Sequence, residues 1–191
     1  MIMETIVTTR SADGNTHIAP MGLRRQEELF LLAPFKPSRS LDNMRREGSA
    51  IINYTDDVRV FAGCLTGRWD WPLCAADRIN GQRLQDCLSH VELELVDIKD
   101  DEQRPELLFC AVHKATHAPF QGFNRAQSAV IEAAVLVSRL QMLPQEKIRA
   151  EIDYLTIAIE KTAGPHEQLA WDWLLQRITG FYAEQRKERL A

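Results

Sequence analysis

The sequence predicts an α+β fold, with a barrel-type sheet domain over residues 1–120 and a helical region of about three helices over residues 121–191. Three observations carry this reading. Up to residue 120 the apolar residues alternate or run in short β-branched stretches separated by turn residues. After Asn124 they recur at helical spacing. No internal repeat and no Gly/Ser-rich linker interrupts the chain, so the helices are expected to pack on the barrel.

Glu4–Thr9 is β-branched and runs into Asp13-Gly14-Asn15, a turn signal, after which His17–Leu23 resumes an extended pattern. The pair reads as a hairpin. Glu28–Ala33 is a third strand, closed by Pro34 and Pro37, which suit no central ladder position. Residues 40–48 carry a capping serine, an acidic first turn, late arginines and a terminal glycine, the signature of a two-turn helix. Ser49–Tyr54 and Val58–Ala62 read as strands, as do Val91–Val96, where apolar and acidic residues alternate, and Leu107–Val112. Residues 64–90 form an irregular excursion.

In the last third, Val130, Ala133, Ala134, Val137 and Leu140 follow i, i+3, i+4, i+7 spacing, while Ile131, Val135 and Leu136 widen the apolar surface. Ile148, Ile152, Leu155 and Ile159 form a second stripe that stops at Gly164-Pro165. Leu169, Trp173, Leu174, Ile178 and Phe181 form a third.

The 23 Lys and Arg against 27 Asp and Glu give a net charge of -4 with the signs interspersed, so nucleic acid is not an expected partner. The basic run of Arg186, Lys187 and Arg189 alternates with Glu184 and Glu188 and reads as a solvated helix end. Four cysteines, none in a Cys-x-x-Cys pair, read as reduced thiols. No apolar run nears the ~20 residues of a spanning helix, and no leader pattern opens the chain; a cytoplasmic protein without membrane partners is expected.

The richest polar stretch is Pro34–Asn43, where Lys36, Ser38, Arg39, Ser40 and Asn43 gather at a helix mouth. Unpaired N–H groups and a partial positive charge make such a mouth an anion site. The alternative is that Ser40 is only the N-cap, with Lys36 and Arg39 solvated. Pro20 and Gly22 within a strand mark either a close approach of backbone to a ligand or a protected edge. Arg125, in the first turn of the long helix, opposes the helix dipole; a phosphate or carboxylate nearby explains it, and so does a surface side chain reaching solvent. His113 and His117 have zinc-like spacing if helical, but they follow a strand, Pro119 comes next, and no third ligand is visible beside them, so no metal is expected. Phe120, Phe123, Trp69, Trp71, Trp171 and Trp173 read as packing residues, and Cys64 and Cys110 as inert thiols.

Glu4–Thr9, Ala19–Gly22, Pro34–Asn43, Asn53–Asp57, Phe123–Ala126, Ala129–Ala133, Glu160–Gly164 and Glu167, in this order and spacing, resemble the domain of unknown function family 447, found chiefly in methanogenic archaea and methylotrophic bacteria. The similarity spans nearly the whole chain and is weakest over residues 64–90. The resemblance implies an FMN-binding split barrel, usually a homodimer with flavin near the subunit interface, akin to flavin reductases and pyridoxamine phosphate oxidases. In the related flavin-reductase pattern a hydroxyl residue followed three positions later by Asn lies at the FMN phosphate, and Ser40 and Asn43 occupy those positions. Ser38 and Arg39 would complete the cradle, Ala19, Pro20, Met21 and Asn53 would border the ribityl chain or ring, and Arg125 is the further cofactor candidate.

The expected function is that of an FMN-dependent reductase or oxidase of a small molecule, linked to tetrahydromethanopterin one-carbon metabolism. The alternatives are a non-catalytic FMN carrier or sensor and a structural dimeric barrel without turnover. No residue is singled out as a catalytic acid or base.

Overall fold

The computed structural model describes residues 1–188; Arg189 of the basic run lies outside them. The chain forms two compact units, one from Met1–Asp56 with Asp70–Phe120, the other from Asp57–Trp69 with the chain from Gln121 onward.

The first unit is a closed six-stranded barrel. Its strands are β1 (Ile2–Arg10), β2 (Thr16–Gln26), β3 (Leu29–Leu32), β4 (Ser49–Tyr54), β7 (Ser89–Lys99) and β8 (Glu106–Thr116), in the spatial order β1-β2-β3-β8-β7-β4, with β4 returning to β1. A short hairpin of β5 (Leu73–Ala75) and β6 (Gln82–Leu84) accounts for most of the ordered structure in the irregular excursion. The β1–β2 turn forms where expected: Gly14 has φ 85° and the Asp13 carboxylate accepts from the Asn15 N–H at 3.0 Å. Helix α1 (Arg39–Glu47) follows β3 and ends at Gly48, whose left-handed φ of 63° lets its N–H cap the Met44 carbonyl.

The barrel core is Val7, Leu23, Phe30, Leu32, Ile52, Val91, Leu93, Leu107 and Phe109, and Leu41 and Met44 of α1 join the same cluster. Burying each of the larger side chains contributes about 1.5–3 kcal/mol, and this anchors α1 to the barrel. Strand period sets the rest: with Val91 and Leu93 turned inward, His90 and Glu92 of β7 take the opposite face.

The second unit is helical: α2 (Val58–Leu65), α3 (Arg125–Ser138), α4 (Gln145–Thr162) and α5 (Pro165–Glu188). Helix α2 corrects the strand expected at Val58–Ala62. The β-branched run had suggested a strand, but Asp57 caps a helix by accepting from the Arg59 N–H at 3.1 Å. Val58 and Ala62, one turn apart, are buried with Ala126, Ala129, Val130 and Ala133 of α3 and Leu174 of α5. Tertiary burial overrides a weak local preference. Asn124 caps α3, accepting from the Ala126 N–H at 2.7 Å. Among the described residues no helix is long and apolar enough to cross a membrane.

Candidate functional site

Strand β3 has four residues and pairs with β2 only over Leu23–Gln26. From Thr16 to Gly22, β2 is therefore laddered to β1 on one side and, among the described residues, to no strand on the other. Ala19, Pro20 and Met21 lie in this open stretch, opposite Val7, Ile6 and Thr5. A proline on an open edge removes a donor that would otherwise invite another strand. A Cβ at Gly22 would meet Ile2 Cγ2 at 2.9 Å, so a larger residue there would have to displace the Ile2 side chain.

The mouth of α1 lies at this edge. Arg39 is close enough to Asp13 and His17 to shift both: it lowers Asp13 along with the stronger Asn15 hydrogen bonds, and it lowers His17 in second place after burial. The exposed Arg39 guanidinium and the first N–H groups of α1 make this corner rich in donors, with the Asp13 and Asp42 carboxylates beside them.

Ser38, not Ser40, is the N-cap, its Oγ accepting from the Leu41 N–H at 3.3 Å. Arg39 is exposed. Ser40 and Asn43 share the buried helix face, each 2 % exposed, because i and i+3 lie on one side of a helix. The Asn43 amide donates to Thr9 Oγ1 at 3.0 Å and Ser11 Oγ at 3.3 Å and accepts from Arg46 at 3.1 Å. The bonds to Thr9 and Ser11 tie α1 to the end of β1 through Asn43, while Ser38 and Arg39 are the less buried groups at the mouth.

Asn53 is enclosed too. Its Nδ2 donates to Ile6 O at 3.1 Å and Thr8 Oγ1 at 3.2 Å, and its Oδ1 accepts from the Leu84 N–H at 2.8 Å. These bonds join β4, β1 and β6. Arg125 is an exposed residue of the helical unit, at the start of α3.

A second polar centre went unnoticed in the sequence. On the outer face of the barrel Glu92 stands opposite His113 across the β7–β8 ladder, His90 lies two residues from Glu92 on the same face, and Asp77 arrives from the β5–β6 connection. His113 and His117 share no helix, yet the carboxylates judged absent beside them are supplied by β7 and the connecting loop. The Glu92 carboxylate is fully buried and accepts from the N–H groups of Asp77, Arg78 and Ile79 at 2.7, 2.8 and 2.9 Å. Burial alone would push Glu92 up, but these donors and His90 outweigh it and hold the carboxyl below its ordinary value. The available signal was the His-x-Glu alternation of residues 90–92; strand pairing does the rest and is invisible in one sequence.

The remaining candidates are structural. None of the four cysteines forms a disulfide, and burial pushes Cys64 up to about 12. At pH 8 Cys64 is expected to react with a disulfide reagent roughly 10²–10³ times more slowly in the folded chain than in urea, as its thiolate fraction dictates. Rates within tenfold of each other would contradict the burial assigned to it. Trp171 is a core residue, and Trp173 lies under the Arg68 guanidinium at 4.5 Å. The packing expected of Phe120, Phe123 and Trp69 is corrected: they are 55, 98 and 57 % exposed, since they sit on connections rather than on helix faces. A cavity of about 420 Å³ lies between α4 and α5 and is lined by none of the predicted cofactor-binding residues.

The closed six-stranded barrel with its helical unit is an α+β fold of the split-barrel class. The chain belongs to the DUF447 family, described as proteins of unknown function: residues 3–118 match its N-terminal domain and residues 124–176 its C-terminal part. None of the curated proteins matches. An FMN-bound protein of the same family from Methanosarcina mazei superposes with a TM-score of 0.80 at 20 % identity, over 92 % of this chain and 94 % of that one. The 2-nitrobenzoate 2-nitroreductase of Pseudomonas fluorescens gives 0.52 at 20 % identity, over 60 % of this chain and 64 % of its own. The flavin reductase component of a bacterial two-component tryptophan halogenase gives 0.53 at 13 % identity, over 62 % and 82 %.

Proposed function

We propose that the protein binds FMN and uses it as a flavin-dependent reductase or oxidase of a small molecule. The observation that carries this reading is the α1 mouth set beside the open edge of β2, which pairs an anion-binding corner with a strand edge along which a planar ring can lie. FMN presents a dianionic phosphate to the first and an apolar ring system to the second.

Ser38 and Arg39 hold the phosphate, with the N–H groups of the first helical turn. Ala19, Pro20 and Met21 border the ribityl chain or ring. Asn43 positions the helix against β1, and Ser40 offers its hydroxyl from the first helical turn. The bound flavin supplies the redox chemistry, while the chain orients it, excludes water from one face and shapes the neighbouring space for a substrate. The bound FMN of the family member from Methanosarcina mazei supports the choice of cofactor. A homodimer and a pterin substrate from tetrahydromethanopterin-linked one-carbon chemistry are part of this proposal, carried by the family resemblance.

The test is an absorbance spectrum of freshly purified protein between 300 and 550 nm, with the released chromophore identified by mass, before and after anaerobic NADPH. The expected result is an FMN spectrum that bleaches. An FMN spectrum that resists every reduced nicotinamide and pterin donor would replace the enzyme with a carrier, and no binding after adding FMN would overturn the proposal.

A further inference from the structure

The four side chains gathered on the outer face of the barrel are arranged as a coordination shell. His90 Nε2 lies 3.1 Å from Glu92 Oε1 and 3.6 Å from Asp77 Oδ2, and His113 Nε2 lies 3.4 Å from the same Asp77 oxygen. All four ligand atoms fall within 4.8 Å of one another. A tetrahedral ion with bonds of about 2.0–2.1 Å to nitrogen and oxygen places its ligands about 3.3 Å apart along each edge. The three measured edges bracket that value.

A hydrogen-bonded network explains these distances less well. Nitrogen-to-oxygen hydrogen bonds cluster at about 2.7–3.2 Å, and the two imidazole contacts to Asp77 are longer than that. Only the His90–Glu92 contact falls in the range. Short bonds hold Glu92 and His90 in place, but none joins Asp77 Oδ2 to either imidazole, and these two contacts are the ones a bridging ion accounts for.

The groups behind the four ligands support the same conclusion. His90 Nδ1 meets His117 Nε2 at 2.9 Å with the rings 8° from parallel. Without an ion His90 Nε2–H donates to Glu92; an ion that displaces this proton leaves Nδ1–H to donate to His117, the usual way a ligating imidazole is held in its tautomer. The Glu92 carboxylate is oriented by three backbone N–H groups. Two neutral imidazoles and two carboxylates carry a total charge of -2, which matches a divalent cation. His90 and Glu92 are fully enclosed, whereas the His113 and Asp77 side chains are 28 and 55 % exposed, so the site is rigid below and open to an entering ion above.

We infer that Asp77, His90, Glu92 and His113 form a binding site for one divalent first-row transition ion, zinc or a close relative, with His117 as the positioning residue behind His90. Imidazole and carboxylate together suit zinc, and the hard all-oxygen preference of calcium or magnesium does not. The ion joins the β5–β6 connection, through Asp77, to both strands of the β7–β8 ladder. Its role is to pin this connection to the barrel wall, and the inference does not depend on flavin binding.

The experiment uses the full chain, stripped with a chelator and dialysed against zinc at 10 μM, with bound metal counted by mass spectrometry and thermal unfolding recorded with and without the ion. One zinc per chain and a rise in Tm are expected for the wild type. His113→Ala and Asp77→Ala, at the open side where the fold does not depend on them, should lose the stoichiometric zinc and the rise in Tm while unfolding normally without metal. His117→Ala should keep the site but weaken it about 10–100-fold. Wild-type protein that binds no zinc, or variants at positions 77 and 113 that bind it as the wild type does, would overturn the inference; the second result would assign the metal to the thiols.

Discussion

Arg39→Glu is expected to weaken FMN binding by about 100-fold or more while leaving riboflavin binding within about threefold of wild type. A charge-assisted bond to a phosphate is worth about 1.5–3 kcal/mol, and reversing the charge replaces that attraction with repulsion beside the same oxygens. Arg39 is exposed and, among the described residues, makes no ion pair, so folding should not suffer. Riboflavin lacks the phosphate and isolates the ring contribution, which this reading gives to Ala19, Pro20 and Met21 on the β2 edge. Titration of both ligands by fluorescence quenching measures the two constants. An equal loss of both would mean that Arg39 supports the site as a whole, and no loss of either would remove α1 from the phosphate site.

Asn53→Ala should cost about 2–4 kcal/mol of stability, read as a lower urea midpoint with an unchanged slope. The residue is fully buried, and truncation leaves the Leu84 N–H without its acceptor and removes a donor from Ile6 O and Thr8 Oγ1. A buried group stranded in this way costs more than the net worth of the bond it lost, because water cannot replace the partner. The loss should be accompanied by faster hydrogen exchange in β6, which Asn53 fastens to the barrel. A change below about 1 kcal/mol would show that water enters and repairs the site. A loss of FMN with no change in stability would return Asn53 to the ligand-contacting role that the sequence had suggested.

The class of fold was legible in the sequence because its evidence is local. Strand alternation at Val91–Val96, the turn at Asp13–Asn15, the cap at Asn124 and the stripes of α3, α4 and α5 each depend on residues within a few positions of one another. The helix mouth at Ser38–Asn43 was legible for the same reason. Its internal division of labour was not, since which helix face meets β1 depends on a strand thirty residues away. The error at Val58–Ala62 has a similar cause: the run has a mild preference for strand, and only its burial against α3 and α5 makes it a helix.

Composition and short-range pattern therefore sufficed for an α+β chain, for the position of the helix mouth at Ser38–Asn43 and for thiols without disulfides. Packing and strand register decided everything that joins distant segments: the open edge of β2, the enclosure of Asn53, and the meeting of Asp77, His90, Glu92 and His113. The physical reason is that a hydrophobic period says which face of a strand is buried but not which strand lies beside it. In a barrel of order β1-β2-β3-β8-β7-β4, most of the chemistry arises between neighbours that lie far apart along the chain.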